Sequence, residues 1–271
     1  MIKLIAIDID GTLLNDNHQI TEPVRLAISQ AKKAGAKVVI TTGRPLKGVE
    51  PILSELGLEE PGDYVITYNG ALVQKTDTGE ALISESLTYD DFLDIEMTAR
   101  KLGTHVHALT MDGIYTPNRN IGKYTVNEAY LVNMPIYYRT PEEMGEFDFV
   151  KMMYIDEPAI LDPVIEGLPE RFSEKYTLVK SAPYYLEILN KRASKGKAVL
   201  HLADKLNIQI DEIMAIGDQE NDRAMLEVAG LPVVMENGNP ELKKIAKFIT
   251  KSNNEHGVAH AINKFVLDKE V

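Results

Sequence analysis

Four short stretches of the chain, KLIAID from Lys3, KVVITTG from Lys37, YVITYN from Tyr64 and IMAIGD from Ile213, are rich in Val and Ile and lack apolar–polar alternation. Runs of this kind predict strands buried on both faces, as in a parallel sheet covered by helices. Between the first two lies TEPVRLAISQAKKAG, in which Thr21 is a candidate N-cap and Pro23 falls in the first turn. Val24, Ala27, Ile28 and Ala31 share one face, and Gly35 marks the stop, so the spacing predicts an amphipathic helix. KGKAVLHLADKLNI, QENDRAMLEVAG, NPELKKIAKF and GVAHAINKFV supply further helices late in the chain. Strand–helix alternation of this sort predicts an α/β fold with a doubly wound, mostly parallel sheet, whose ligands bind beyond the carboxyl ends of the strands.

The middle of the chain departs from this pattern. A helix over TYDDFLDIEMTARKLG leads to short strands around HVHAL and GIYT. NIGKYTVNEAYLV, PIYY and FVKMMYI follow, then a further helix, and finally YTLVKSA and YYLEIL. Hairpin-like pairs between helices predict an α+β unit, residues 84–190, inserted into a discontinuous core of residues 1–83 and 191–271.

Several chemistry-bearing residues fall at the predicted strand ends. Asp8 and Asp10 close the first strand, two residues apart on one face, and two carboxylates so placed call for a proton or a cation between them. Gly11 lets the chain turn away after them. Thr42, Gly43 and Arg44 end the second strand, Asn69 and Gly70 the third, and Asp218 a later one that runs into Asn221 and Asp222. Each has an ordinary alternative: Thr42 and Asn69 as cap or turn residues, and Asp218 or Asn221 as an N-cap. Lys195 stands beside Lys191, Arg192 and Lys197 at a helix start, where the macrodipole disfavours cations, so either a solvated basic turn or a bound anion is implied. A hard cation such as Mg²⁺ would be served by Asp8, the main-chain carbonyl of Asp10 and Asp218, with Lys195 as a point charge on a phosphate. One carboxylate would attack while the other handles protons.

Composition narrows the partners. The 271-residue chain has a formal net charge of −12, which disfavours nucleic acid or an anionic membrane surface as partner. It contains no Cys, hence no thiolate nucleophile or Cys-ligated metal. The first apolar run meets an aspartate too early for a signal peptide, no membrane-length apolar run occurs, and the expected location is the cytoplasm. Neither a G-x-G-x-x-G nor a Walker A loop occurs.

DIDGTLL, TTGRP, the Lys195-Gly196 pair and GDQENDRAM, in that order, resemble the four motifs of haloacid dehalogenase superfamily phosphatases. The large insertion between the second and third motifs resembles the type IIB cap of the Cof-like sugar-phosphate phosphatases. The resemblance spans essentially the whole chain and implies a Rossmann-like core and hydrolysis of sugar or related phosphate monoesters through an aspartyl-phosphate. It implies Asp8 as nucleophile and Asp10 as the acid and then the base. Thr42, Gly43 and Lys195 would hold the phosphate, with Arg44, Asn69 and Asn221 as further phosphate or substrate contacts, and Asp8, Asp10 and Asp218 would hold Mg²⁺. Asp222 is expected to support its turn. A hexose phosphomutase, or a non-catalytic sugar-phosphate sensor, would use the same groups. Tyr115, Arg119, Lys123, Tyr184 and Tyr185 are candidate substrate contacts of the insertion, whereas His105 and His107 are expected to be structural. The expected ligand is a small phosphorylated molecule, bound by a monomer or homodimer.

Overall fold

A computed structural model describes Met1–Lys269. The chain divides into two compact units, one made of Met1–Ile83 and the chain from Ser194 onward, the other of Ser84–Ala193. Residues 191–193 thus lie with the inserted unit.

The first unit opens with β1 (Leu4–Asp8), α1 (Glu22–Lys33), β2 (Lys37–Thr41), α2 (Glu50–Leu56), β3 (Tyr64–Thr67), β4 (Leu72–Lys75) and β5 (Ala81–Ser84). The inserted unit follows with α3 (Tyr89–Leu102), β6 (Val106–Leu109), β7 (Ile114–Thr116), α4 (Lys123–Val132), β8 (Ile136–Tyr138), β9 (Lys151–Ile155), α5 (Pro158–Glu166), α6 (Arg171–Lys175), β10 (Tyr176–Ala182) and β11 (Tyr185–Asn190). The first unit then resumes with α7 (Lys195–Lys205), β12 (Ile213–Gly217), α8 (Arg223–Val228), β13 (Leu231–Val234), α9 (Pro240–Lys243), β14 (Phe248–Ile249) and α10 (Gly257–Phe265).

Among the described residues the first unit forms one sheet in the order β14-β13-β12-β1-β2-β3-β4-β5. Every pairing from β14 to β3 is parallel, and β4 returns antiparallel to β3. The uninterrupted apolar strands are explained by the two faces. Ile5, Ile7, Val38, Ile40, Met214 and Ile216 pack under α1, α2 and α10, while Leu4, Ala6, Val39, Ile213 and Ala215 pack under α7 and α8. Because the chain leaves β1 toward β2 and later returns to β12 on its other side, the β1 edge is a topological switch point. The register places Asp8 opposite Thr41 and Ile7 opposite Ile216, so the carboxyl ends of β12, β1, β2 and β3 lie side by side.

Three helix and turn ends show details beyond the sequence pattern. Thr21 occupies the N-cap of α1, but its hydroxyl meets His256 Nδ1 at 2.9 Å rather than a helix amide. NPELKKIAKF yields only the short α9, because the chain must straighten into β14. The turn after β12 is capped by Gln219 and Asp222, not by Asp218 or Asn221.

The inserted unit forms a second sheet in the order β10-β11-β9-β6-β7-β8. One face carries an apolar core in which Phe92, Ile95 and Ala99 of α3 and Leu161 and Val164 of α5 meet Val106, Met152, Tyr154 and Ile188. The opposite face is polar where α4 covers it. His107 Nδ1 lies 3.3 Å from Thr125 Oγ1, and Lys151 Nζ lies 3.3 Å from Glu187 and 3.9 Å from Glu128, all buried.

Burial, and secondarily the Lys151 ammonium, pull the His107 pKa down to about 3. The neutral ring is native, whereas the unfolded chain takes up a proton below about 6.5. His107 therefore withdraws stability as pH falls from about 6.5 toward 3, by up to about 1.4 kcal/mol per pH unit. Chemical unfolding across that range should show a shallower loss in His107→Gln than in the parent; equal slopes would mean that the ring does not titrate on unfolding.

Candidate active site

The two aspartates of DIDGTLL share a spacing but not an environment. Asp8 is the last residue of β1 and is 6% exposed, whereas the chain has already turned by Asp10, whose side chain is 56% exposed. The turn is built by amides of residues 12–14 folding back onto the carbonyls of Asp8 and Ile9. Gly11 makes it possible: its φ is +80°, and a Cβ there would stand 2.4 Å from Asp218 Oδ2.

Each aspartate has its own cation. Lys195, the first residue of α7, is 1% exposed, and its Nζ donates to Asp8 Oδ1 at 2.5 Å and to Asp222 Oδ1 at 2.7 Å. The unfavourable placement of a lysine at a helix start is thus offset by two carboxylates. Arg44 Nη2 donates to Asp10 Oδ1 at 2.6 Å. The rest of the basic cluster disperses: Lys191 donates to the carbonyls of Ser173 and Tyr176, Arg192 pairs with Glu85, and Lys197 is exposed.

Asp222 is wholly buried and fully engaged. Oδ1 takes the Lys195 ammonium, and Oδ2 accepts the backbone amides of Asp218 at 2.9 Å and Gln219 at 3.1 Å. It locks the turn that carries Asp218, whose Oδ1 accepts the Thr12 hydroxyl at 2.9 Å. The links to Lys195 and Thr12 were not foreseen; a threonine inside an otherwise apolar turn was the available signal for the second.

Thr42 is 2% exposed, and its Oγ1 accepts the amide of Arg44. Tyr68, Asn69 and Gly70, just past β3, all have positive φ (49°, 55° and 93°), a run that costs energy at the two non-glycine positions. The run is held by Tyr68 N–H donating to the Arg44 carbonyl and Asn69 N–H to the Thr42 carbonyl. A Cβ on Gly70 would lie 2.3 Å from the Ser194 carbonyl, so this loop passes directly against the start of α7. A Cβ on Gly43 would lie 3.1 Å from Asn69 Nδ2. The edge therefore gathers Asp8, Thr42, Gly43, Asn69, Lys195, Asp218 and Asp222, with the Asp10–Arg44 pair beside it. Asn221 is exposed on the turn Glu220–Asp222.

The electrostatics favour a further cation. Burial chiefly, offset in part by Lys195 and reinforced by Asp222, pushes Asp8 up to about 7, and burial chiefly pushes Asp218 up to about 6. Burial alone would depress Lys195, but Asp8 and Asp222 together raise it above its ordinary value. One carboxylate oxygen each of Asp8, Asp218 and Asp222 lie within 4.8 Å of one another, an all-oxygen set suited to a hard divalent ion. Asp222 already holds three donors, one on Oδ1 and two on Oδ2, which makes Asp8 and Asp218 the better-placed carboxylates for such an ion.

A family profile described as haloacid dehalogenase-like hydrolase matches residues 5–262. The chain belongs to this family. It is 60% identical to a protein of Streptococcus pyogenes serotype M6 that carries a phosphatase name, over 98% of this chain and 99% of that one. It is 32% identical to the 5-amino-6-(5-phospho-D-ribitylamino)uracil phosphatase YcsE of Bacillus subtilis, over 98% of this chain and 96% of that one. A crystal structure from Thermotoga maritima superposes with a TM-score of 0.84 at 32% identity, covering 98% of each chain. The chain's reaction class is phosphoric monoester hydrolysis.

In the inserted unit, the candidate contacts separate. Tyr115 is 8% exposed and packs against the rings of Tyr137 and Phe147, so it is a core residue. Arg119 donates to the Tyr138 hydroxyl, and Lys123 pairs with Glu157. Tyr184 stacks on Tyr124 at 4.3 Å, and the Tyr185 hydroxyl donates to the Tyr124 carbonyl. His105 pairs with Asp156 at 2.8 Å and His107 is enclosed, both in structural settings. Among the described residues, no helix is long and apolar enough to cross a membrane.

Removing Lys195 would strand two buried carboxylates. Lys195→Met is expected to lower unfolding free energy by about 3–5 kcal/mol, whereas Lys197→Met should stay within about 0.5 kcal/mol of the parent. Urea melts of the two variants check this, and equal melts would contradict the assignment of Lys195 as the buried tie.

Proposed function

We propose that the protein is a Mg²⁺-dependent phosphatase that hydrolyses phosphate monoesters of sugars or related small metabolites through an aspartyl-phosphate at Asp8. The observation that carries this reading is the buried Lys195 ammonium shared by Asp8 and Asp222 at the carboxyl edge of β1. It holds one carboxylate in place beside a fixed positive charge, in a setting where a phosphate would be the natural third anion.

Asp8 attacks phosphorus while Asp10 protonates the leaving oxygen; Asp10 then takes a proton from the water that hydrolyses the aspartyl-phosphate. Thr42, the Gly43 amide and Lys195 hold the phosphate oxygens, with Asn69 and Asn221 as further contacts. Mg²⁺, held by Asp8, the Asp10 carbonyl and Asp218, would neutralise charge on the phosphoryl group. Residues 84–190 act as a cap that selects the leaving group, and the YcsE relationship supports a phosphorylated metabolite as substrate. The enzyme acts in the cytoplasm as a monomer or homodimer and takes no nucleic acid.

Hydrolysis of p-nitrophenyl phosphate should require Mg²⁺ and disappear in Asp8→Asn; turnover by that variant near the parental rate would remove Asp8 from the nucleophile role. A screen of phosphorylated metabolites by phosphate release then identifies the substrate. Independently of activity, Mg²⁺ should raise Tm of the parent and have little effect on Asp218→Asn. An unchanged Tm in the parent at millimolar Mg²⁺ would count against this ion.

A further inference from the structure

Arg44 follows the second strand within a run of residues expected to touch phosphate, yet its guanidinium is aimed elsewhere. Its backbone is pinned at both ends: the amide donates to Thr42 Oγ1 at 3.1 Å, and the carbonyl accepts the Tyr68 amide at 3.2 Å. From this fixed base the side chain reaches Asp10 Oδ1 at 2.6 Å. Arg44 also lines a cavity of about 340 Å³ with Leu14, Ile20, Ile52 and Glu55, and the hydrogen bond to Asp10 is the contact that directs its guanidinium. Asp10 in turn is 56% exposed on a turn, and among the described residues Arg44 is its ion-pair partner.

We infer that Arg44 is the positioning residue of the acid–base carboxylate, an inference that rests on the function proposed above. By engaging Oδ1, Arg44 leaves Oδ2 as the oxygen that carries the proton. In the first step the Oδ2 proton passes to the leaving oxygen as its bond to phosphorus breaks and the bond from Asp8 forms. In the second, water gives a proton to Oδ2 as its oxygen bonds to phosphorus and the Asp8–phosphorus bond breaks. Protons and electron pairs balance over the cycle, with Asp10 returned to its starting state. A planar guanidinium suits this task because it fixes the direction of a carboxylate, which an ammonium does less well.

A positioning role is separable from phosphate binding by the leaving group. General-acid assistance matters for an alkyl oxygen and little for p-nitrophenolate, so a misdirected Asp10 harms the two substrates unequally. The experiment compares kcat/KM, which reports the phosphorylation step, for p-nitrophenyl phosphate and for the best hexose phosphate. It uses the parent, Asp10→Asn, Arg44→Gln and Arg44→Lys, and adds the inhibition constant of inorganic phosphate. Arg44→Gln is expected to lower kcat/KM for the hexose phosphate about 10- to 100-fold and for the aryl ester about threefold or less. Arg44→Lys should recover part of the loss, and inhibition by phosphate should be unchanged. Equal losses on both esters with weaker phosphate inhibition would overturn the inference in favour of phosphate binding. Equal losses with a lowered Tm and unchanged phosphate inhibition would overturn it in favour of a purely structural role. If Asp10→Asn itself shows no dependence on the leaving group, or the parent hydrolyses neither ester, the proposed function fails. If Asp10→Asn shows that dependence and the Arg44 variants do not, only the present inference fails.

Discussion

A single buried ammonium ties the catalytic edge together. Lys195 is desolvated almost completely, and an unpaired charge in that position would cost several kcal/mol, so its contacts with Asp8 and Asp222 are obligatory rather than incidental. The three groups come from the end of β1, the start of α7 and the turn after β12, separated along the chain by 187 and 27 residues. They meet because β1 and β12 are parallel neighbours in register and because the glycine at position 70 lets the loop after β3 pass against the backbone of α7. Ser194, where the first unit resumes, immediately precedes Lys195. The charge network therefore closes only once the chain has returned from the insertion.

Two aspartates in one short motif have opposite surroundings, which match the opposite tasks proposed for them. Asp8 is buried beside an ammonium of fixed position, and burial lifts its pKa to about 7, a penalty that a bound divalent ion would relieve. Asp10 faces solvent and pairs with a partly exposed arginine. A buried, immobile carboxylate suits attack at a fixed phosphorus, and an exposed one that can exchange protons suits acid–base work.

Much of this was legible in the sequence. Apolar runs without alternation gave buried parallel strands, and parallel strands put their carboxyl ends on one edge, so Asp8, Thr42, Asn69 and Asp218 could be assigned to the same neighbourhood from position alone. What escaped depends on partners distant in sequence. Asp222 was expected only to support its turn, because nothing local shows that its second oxygen meets Lys195. Arg44 stands in a run expected to touch phosphate, and its turn toward Asp10 follows from the loop geometry of Thr42 and Tyr68. Tyr115 looked available because strand periodicity tells which residues share a face but not which face is covered; Tyr137 and Phe147 cover it. The turn QEND was read as helix because its polar residues fit a helix start, yet Asp222 spends its carboxylate on the amides of Asp218 and Gln219 and tightens the first turn.

Whether Asp8 forms a bond to phosphorus is the question on which the account turns. Rapid acid quenching of the parent enzyme during turnover of a radiolabelled phosphate ester, followed by peptide mapping, reads it directly. Acid-stable, base-labile label is expected on the peptide containing Asp8, carried on that residue and accumulating further in Asp10→Asn, where hydrolysis of the intermediate is slowed. Phosphate release with no labelled peptide at any quench time in either protein, or label on a residue other than Asp8, would contradict it.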